Sequence, residues 1–367
     1  MSNYYNNAGQ AIASGGFGCV FFPAIKCKGS SVRTDGVSKL MFKKDAIIEY
    51  KEISKIKPII DKIPNNNKYF ISSGISICDP DKLDQEDLKN FDKICRVVSD
   101  SGINSKNINS RLDELKILNL PFGGDDLSIV LNKIKTTLEL QLINSKLVEL
   151  LTNAIILINS HGLYHNDIKD KNILYNIKSH EMRIIDWGLA GISKRSQIIP
   201  TILFNRPFQY NIPFTIILFN KIFRNFYRSE LDGLIYSNRP QLSDLKNVVF
   251  KYIKKYEMDK RGHGQYILNI LPNVLLGDEI KDKLKHRTDD NKKYGAVMNL
   301  LLEYIATALL HYSDFKKKIF LENKYFLEVY SKNVDVWGLT VINMEYISLY
   351  LLSSPIKFSV HTSAKAT

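Results

Sequence analysis

The densest group of side chains able to do chemistry is His165-Asn166-Asp167-Ile168-Lys169-Asp170-Lys171-Asn172, followed further along by Asp186-Trp187-Gly188. Short loops beside two apolar runs, 173–175 and 182–185, thereby carry two carboxylates, an ammonium, an amide and an imidazole. Moving a phosphoryl group needs little covalent help but much positioning and charge neutralisation. Asp167 could orient an attacking hydroxyl and accept its proton, and Lys169 could neutralise the group being moved. Asn172 and Asp186 offer the hard oxygen donors that a divalent ion prefers. The plain alternative for Asp186 alone is a turn residue. For His165 it is a core histidine that packs and hydrogen-bonds the loop.

Such loops need strands and helices to hold them. Residues 10–13 and 19–25 read as strands flanking the turn Ser14-Gly15-Gly16-Phe17-Gly18, and 37–42 as a third strand with Lys39 in its middle. Over 45–60 the apolar residues Ile48, Ile53, Ile56 and Ile60 predict a helix that stops near Pro64-Asn65. The stretch 71–112 is ambiguous, its charged part around 79–92 reading as loop or short helix. A strand over 116–120 leads into Pro121-Phe122-Gly123-Gly124, where a lobe boundary is expected. Residues 127–160 carry a long amphipathic helical pattern, broken near Thr136, with a stop at Ser160-His161-Gly162. Several helices are expected over 215–330, among them 245–256 and 294–312, and a further one over 334–350.

The pattern H-x-D-x-K-x-x-N with D-W-G resembles the catalytic and metal-binding loops of eukaryotic-type serine/threonine protein kinases. That resemblance implies an α+β, bilobal fold with a small β-rich N-lobe (1–120) and a helical C-lobe (121–367). The hinge would lie at 121–124, with Leu118 or Leu120 near the adenine, and an atypical long insertion at about 215–330. It implies ATP and Mg²⁺, with Mn²⁺ as an alternative ion, and a protein hydroxyl as acceptor. Ala13-Ser14-Gly15-Gly16-Phe17-Gly18-Cys19-Val20 looks like the glycine-rich loop, with Ala13 where the first glycine normally stands and Gly15 and Gly18 letting backbone close over phosphates. Lys39 resembles the lysine that grips the α- and β-phosphates, with Glu49, or else Glu52, as its carboxylate partner. Trp187 replaces the usual phenylalanine before Gly188. Asp335 resembles the C-lobe aspartate that caps the catalytic loop, a simple helix N-cap being the bland alternative.

The match also departs from the family. Asn166 stands where many kinases have the arginine that grips a phosphorylated loop, so control by loop phosphorylation is not expected. No A-P-E triplet follows Asp186; Asn211-Ile212-Pro213-Phe214 is the nearest anchor. The start of the chain and the run from Asn205 to Phe214 look like the divergent kinases of large DNA viruses. A nucleotide-binding pseudokinase scaffold and a small-molecule kinase on the same fold are the competing readings.

Composition constrains the rest. Apolar residues make up 44% of the 367, an ordinary globular share, and the net charge of +13 steers acidic partners without marking a nucleic-acid groove. Four cysteines, Cys19, Cys27, Cys78 and Cys95, look too few and too unevenly placed for a disulfide framework, so free thiols and a reducing compartment are expected, such as host cytoplasm, or a virion. Neither a signal peptide nor an unbroken apolar run of bilayer length is visible, so a soluble chain is expected.

Overall fold

The computed structural model describes residues 9–30, 36–234, 239–257 and 290–353. The chain divides into two compact units, 1–194 and 195–367.

The first unit begins with strands β1 (Gln10–Ser14), β2 (Gly18–Phe22) and β3 (Val37–Phe42), joined in one antiparallel sheet with β4 (Ser76–Cys78) and β5 (Leu115–Leu120). Their order is β1-β2-β3-β5-β4. Helix α1 (Lys43–Ile60) follows β3 directly and buries Ala46, Ile53, Ile56 and Ile60. Ile48 does not join them: it is 44% exposed. Five residues before Ile53 is about 140° off that stripe at 100° per residue, so helical geometry turns it outward.

The ambiguous stretch resolves into short helices α2 (Phe91–Ile94) and α3 (Arg96–Ser99), followed by two single 3₁₀ turns. Phe91, Cys95, Val98, Ile103 and Ile108 are fully buried in one cluster with Cys19, Phe21, Leu40, Leu115 and Ile117 of the sheet. These residues lack a clean period because a coiled cover, not one long helix, seals this face.

The cover is also stitched on covalently, which corrects the expectation of free thiols. Cys19 on β2 is bonded to Cys95, and Cys27 to Cys78 on β4, with Cα atoms 5.0 and 5.8 Å apart. No cysteine remains free. Partners separated by 76 and 51 residues meet only because sheet register and cover bring them together, so spacing along the chain carried no signal. Two such bonds indicate an oxidising rather than a reducing environment.

After β5 the chain forms β6 (Asp125–Asp126), α4 (Leu127–Lys133), α5 (Thr137–Leu150), a π-helical turn and α6 (Ile156–Ser160). Thr136 caps α5 reciprocally with Glu139, which explains the break near that position. By length and composition, Thr137–Ser160 could cross a bilayer. A search for unbroken apolar runs passes over it because Glu139, Lys146 and Glu149 interrupt the pattern. Its Ile143, Leu147, Leu150, Ala154 and Ile158 are buried within the unit, and Glu149 accepts the Tyr69 hydroxyl at 3.0 Å, so one face of it packs against the unit. Four short strands close the unit: β7 (Leu163–Tyr164), β8 (Ile173–Asn176), β9 (Glu181–Ile184) and β10 (Gly191–Ile192).

The second unit is helical. It contains α7 (Lys221–Leu234), α8 (Leu242–Tyr252), α9 (Asp290–Tyr312), a small hairpin of β11 (Ser313–Asp314) and β12 (Ile319–Phe320), α10 (Glu322–Tyr325) and α11 (Ser331–Ser353). Residues 258–289 of the expected insertion lie outside the described residues. An aromatic core holds these helices together: Phe219 meets Tyr330 edge-on at 4.8 Å, Phe223 stacks on Tyr227, and Tyr252 meets Phe223 at 4.9 Å. Burial pushes the Tyr227 hydroxyl up to about 12, even with Ser313 as its partner. A β-rich section followed by a helix-rich one with an atypical helical insertion is the α+β, bilobal kinase-like fold.

Replacing the buried pair by Cys19→Ala/Cys95→Ala should lower the stability of the chain by about 2–5 kcal/mol in chemical denaturation without reductant. A loss under 1 kcal/mol would mean that packing alone seals the cover.

Candidate active site

The β8–β9 hairpin does most of the positioning. Its register pairs Ile173 with Ile184, and the Ile185 amide donates to the Asn172 carbonyl at 3.0 Å. The loops 165–172 and 185–188 therefore leave the same end of one hairpin. On the other side, β7 pairs with β10, Tyr164 opposite Gly191.

Within this frame His165 is fully buried. Its Nδ1 accepts the Asp167 amide at 3.3 Å and its Nε2 lies 3.0 Å from the Ile185 carbonyl, a pairing that puts the proton on Nε2. The ring meets Trp187 edge-on at 4.8 Å, and Trp187 packs on Phe70 at 5.8 Å. Asp167 is only 5% exposed. Its Oδ2 accepts from Lys169 Nζ at 2.8 Å and from Asn172 Nδ2 at 2.9 Å. Because Nδ2 also donates to the Asp167 carbonyl at 2.8 Å, Asn172 Oδ1 is the atom left to meet a cation. Asp186 is exposed and adopts φ +66, a left-handed conformation that aspartate tolerates better than most residues.

Asn166 has the same backbone hand, φ +61, and is fully buried. Its Nδ2 donates to the carbonyls of Tyr164 and Leu189, each at 3.2 Å. The residue that replaces an arginine is thus an internal strut between the two loops. Only its side-chain type hinted at this, since asparagine suits left-handed backbone.

Lys39 and Glu49 form an ion pair at 2.6 Å, with side chains 16% and 19% exposed. Glu52, the other candidate, turns instead toward the loop after β9: a Cβ on Gly188 would lie 3.8 Å from its Oε2. Its carboxyl has its proton affinity raised by burial first, then by the charges of Glu49 and Asp186. The sequence offered two glutamates for one task; a single helical turn separates their environments.

The turn after β1 closes through a bond from the Gly15 amide to the Gly18 carbonyl at 2.8 Å. A Cβ on Gly15 would come within 3.8 Å of Lys39 Cε, so the turn lies over that side chain. At Gly18 a Cβ would strike the Leu40 carbonyl and Met41 at 2.6 Å, because β2 hugs β3 there. Ala13 pairs with Val20, and Val20 with Lys39, across the three strands. Phe17 projects from the tip, 60% exposed. Further along, Gly124 at φ +115 leaves no room for a Cβ against the Tyr175 carbonyl, which sets the 121–124 segment tightly on β8.

All of these residues belong to the first unit. Asp335 lies in the second, fully buried inside α11 and four residues past its start, so it is not an N-cap. Tyr69 and Phe70 were not singled out by sequence reasoning. They bind the 66–71 segment to β9 through the Ile184 amide, 2.8 Å from the Tyr69 carbonyl, and no local motif marks them.

No protein-family model matches the chain. It is 26% identical over 165 residues, 45% of its length and 48% of the relative's, to "Serine/threonine-protein kinase 1" of Heliothis zea nuclear polyhedrosis virus. It is 29% identical over 128 residues to the "Probable casein kinase II subunit alpha homolog" of Encephalitozoon cuniculi, covering 29% of this chain and 38% of that protein. The chain therefore spans less than half the length of either curated relative. Fold and distant matches agree on a general resemblance to the kinase superfamily.

Glu52 yields a signed pH effect. Its raised proton affinity means that the folded chain binds this proton more tightly than the unfolded chain, so its contribution to stability is fully present below the ordinary carboxylate range. That contribution falls as pH rises through the raised value. Glu52→Gln should therefore raise the melting temperature at pH 7 by about 2 °C and leave it nearly unchanged at pH 4, read by thermal denaturation. The reverse pattern would show that the charge stabilises the fold.

Proposed function

We propose that this chain is an ATP-dependent protein serine/threonine kinase, of the divergent type found in large DNA viruses. The observation that carries the reading is the Lys39–Glu49 pair on the same unit as Asp167, whose carboxylate is held by both Lys169 and Asn172. The relative named as a serine/threonine kinase of a nuclear polyhedrosis virus supports the subtype. Residues 1–120 would form the N-lobe and 121–367 the C-lobe, with the adenine edge meeting main-chain groups at 121–124.

The residues fit the nucleotide and its ion. A turn without side chains at Gly15 and Gly16 lies over Lys39, and the free donors at the hairpin end are hard oxygens, Asn172 Oδ1 and the Asp186 carboxylate. Mg²⁺ held there, or Mn²⁺, would supply charge neutralisation for the phosphates. Lys39, oriented by Glu49, would grip the α- and β-phosphates, while Ala13 and Val20 line the strands above the base. Asp167 would orient the acceptor hydroxyl and take its proton as the new O–P bond forms. Lys169 would neutralise the moving phosphoryl group as its bond to the departing ADP breaks. His165, Trp187 and Gly188 would hold the two loops in register, and Asp335 would serve the C-lobe as a structural residue.

The test is transfer from labelled ATP, with Mg²⁺ or Mn²⁺, to a mixed panel of acidic and basic proteins in buffer without reductant. Label should appear on serine or threonine and fall by about 100-fold or more in Asp167→Asn. Label on tyrosine, or equal transfer by the variant, would overturn the assignment.

A further inference from the structure

On the face of the central sheet opposite Lys39 lies a polar network that the proposed reaction does not use. Asn119 on β5 is only 3% exposed. Its Oδ1 accepts the Ser38 hydroxyl at 2.9 Å, and Ser38 Oγ accepts the Ile25 amide at 3.0 Å. Its Nδ2 points at both sulfurs of the Cys27–Cys78 bond, 3.3 Å from one and 3.6 Å from the other. In the sheet register Asn119 stands opposite Ser38 on β3 and opposite Ser76 on β4.

One amide thus joins three things. Ser38 is the backbone neighbour of Lys39, Leu120 and Pro121 follow Asn119 directly, and the disulfide closes a loop that contains all of β3 and α1, hence both Lys39 and Glu49. A buried amide demands partners for its donors, and sulfur is a weak acceptor, so two sulfurs fixed side by side serve where a single mobile thiol would not. Cys27 and Cys78 are partly exposed, whereas Cys19 and Cys95 are fully buried, so an external thiol reaches the first bond before the second.

We infer that Asn119 is a positioning residue that couples the Cys27–Cys78 disulfide to the Lys39 strand, so that nucleotide affinity depends on that bond being closed. Opening it takes a dithiol: one thiolate attacks a cysteine sulfur and releases the other cysteine, and the second thiol resolves the mixed disulfide. Two electrons and two protons pass to the protein, and the reagent leaves as its own disulfide. Asn119 then loses the fixed pair of sulfurs, and with them its firm hold on Ser38 of β3. The inference rests on the nucleotide reading of the Lys39 site.

The test uses the full chain purified without reductant, a fluorescent ATP analogue with Mg²⁺, and mass spectrometry to show that only the Cys27–Cys78 bond has opened. Brief dithiol treatment should weaken binding about tenfold. Cys27→Ser/Cys78→Ser and Asn119→Leu should each show the same loss, respond no further to dithiol, and be non-additive when combined. In transfer assays the KM for ATP should rise while kcat stays within about twofold, a split that general unfolding would not give. Unchanged affinity on opening, or additive losses, would overturn the coupling. Should no state bind nucleotide, the kinase reading fails, and hydrogen exchange of the 37–42 amides decides the coupling on its own. Faster exchange on opening upholds it; unchanged exchange overturns it.

Discussion

Much of the site hangs on one short hairpin whose register is closed by the Ile185 amide on the Asn172 carbonyl. Side chains alternate along a strand, so a slip of one residue in β8 against β9 would turn Asn172 and Asp186 to opposite faces. Apolar burial forbids that slip: Ile173, Tyr175, Met182 and Ile184 are all buried on this hairpin. The polar loops are therefore placed by hydrophobic residues that have no chemical role. His165 and Asn166 then convert the register into fixed loop shapes, one through the Ile185 carbonyl and the other through Leu189.

Charge is arranged less evenly than hydrogen bonding. Lys39 compensates Glu49, while Glu52 has its proton affinity raised by burial and then by the charges of Glu49 and Asp186. Lys169 similarly compensates Asp167. The carboxylates of Glu52 and Asp186 add negative charge near the hard oxygen donors of the loops, the ligand type that a divalent ion prefers. Burial of Glu52 sharpens the effect, since a carboxylate half out of water is costlier to keep charged.

The two disulfides give the β-rich section a stability that its size alone would not. Small layers bury little apolar surface, and the cover over 83–112 is made of single turns that would not hold themselves together. The Cys19–Cys95 bond fixes that cover to β2, the Cys27–Cys78 bond ties the loop after β2 to β4, and both restrict the unfolded chain. The helical second unit needs no such bond among its described residues. Its stability comes from aromatic rings packed edge to face, with Tyr325 and Tyr330 held far from ionisation by burial.

The sequence alone marked the candidate loops, because His165 to Asn172 and Asp186 to Gly188 stand out by residue type at short spacing, and the strands beside them are plain apolar runs. It also determined the sheet-first, helix-later order, since periods of two and of three to four are local properties. It favoured Glu49 over Glu52 as the partner of Lys39 from the placement of Ile53 and Ile56 on α1, while the ion pair itself forms only in the packed fold. Asn166 could be read as a missing arginine, yet its work as a strut depends on carbonyls from Tyr164 and Leu189 that meet only in the fold. The cysteines mark the limit most sharply. Their pairing is a long-range event across 76 and 51 residues, invisible to spacing and decided by sheet register, so the oxidising environment was a property only the tertiary structure could reveal.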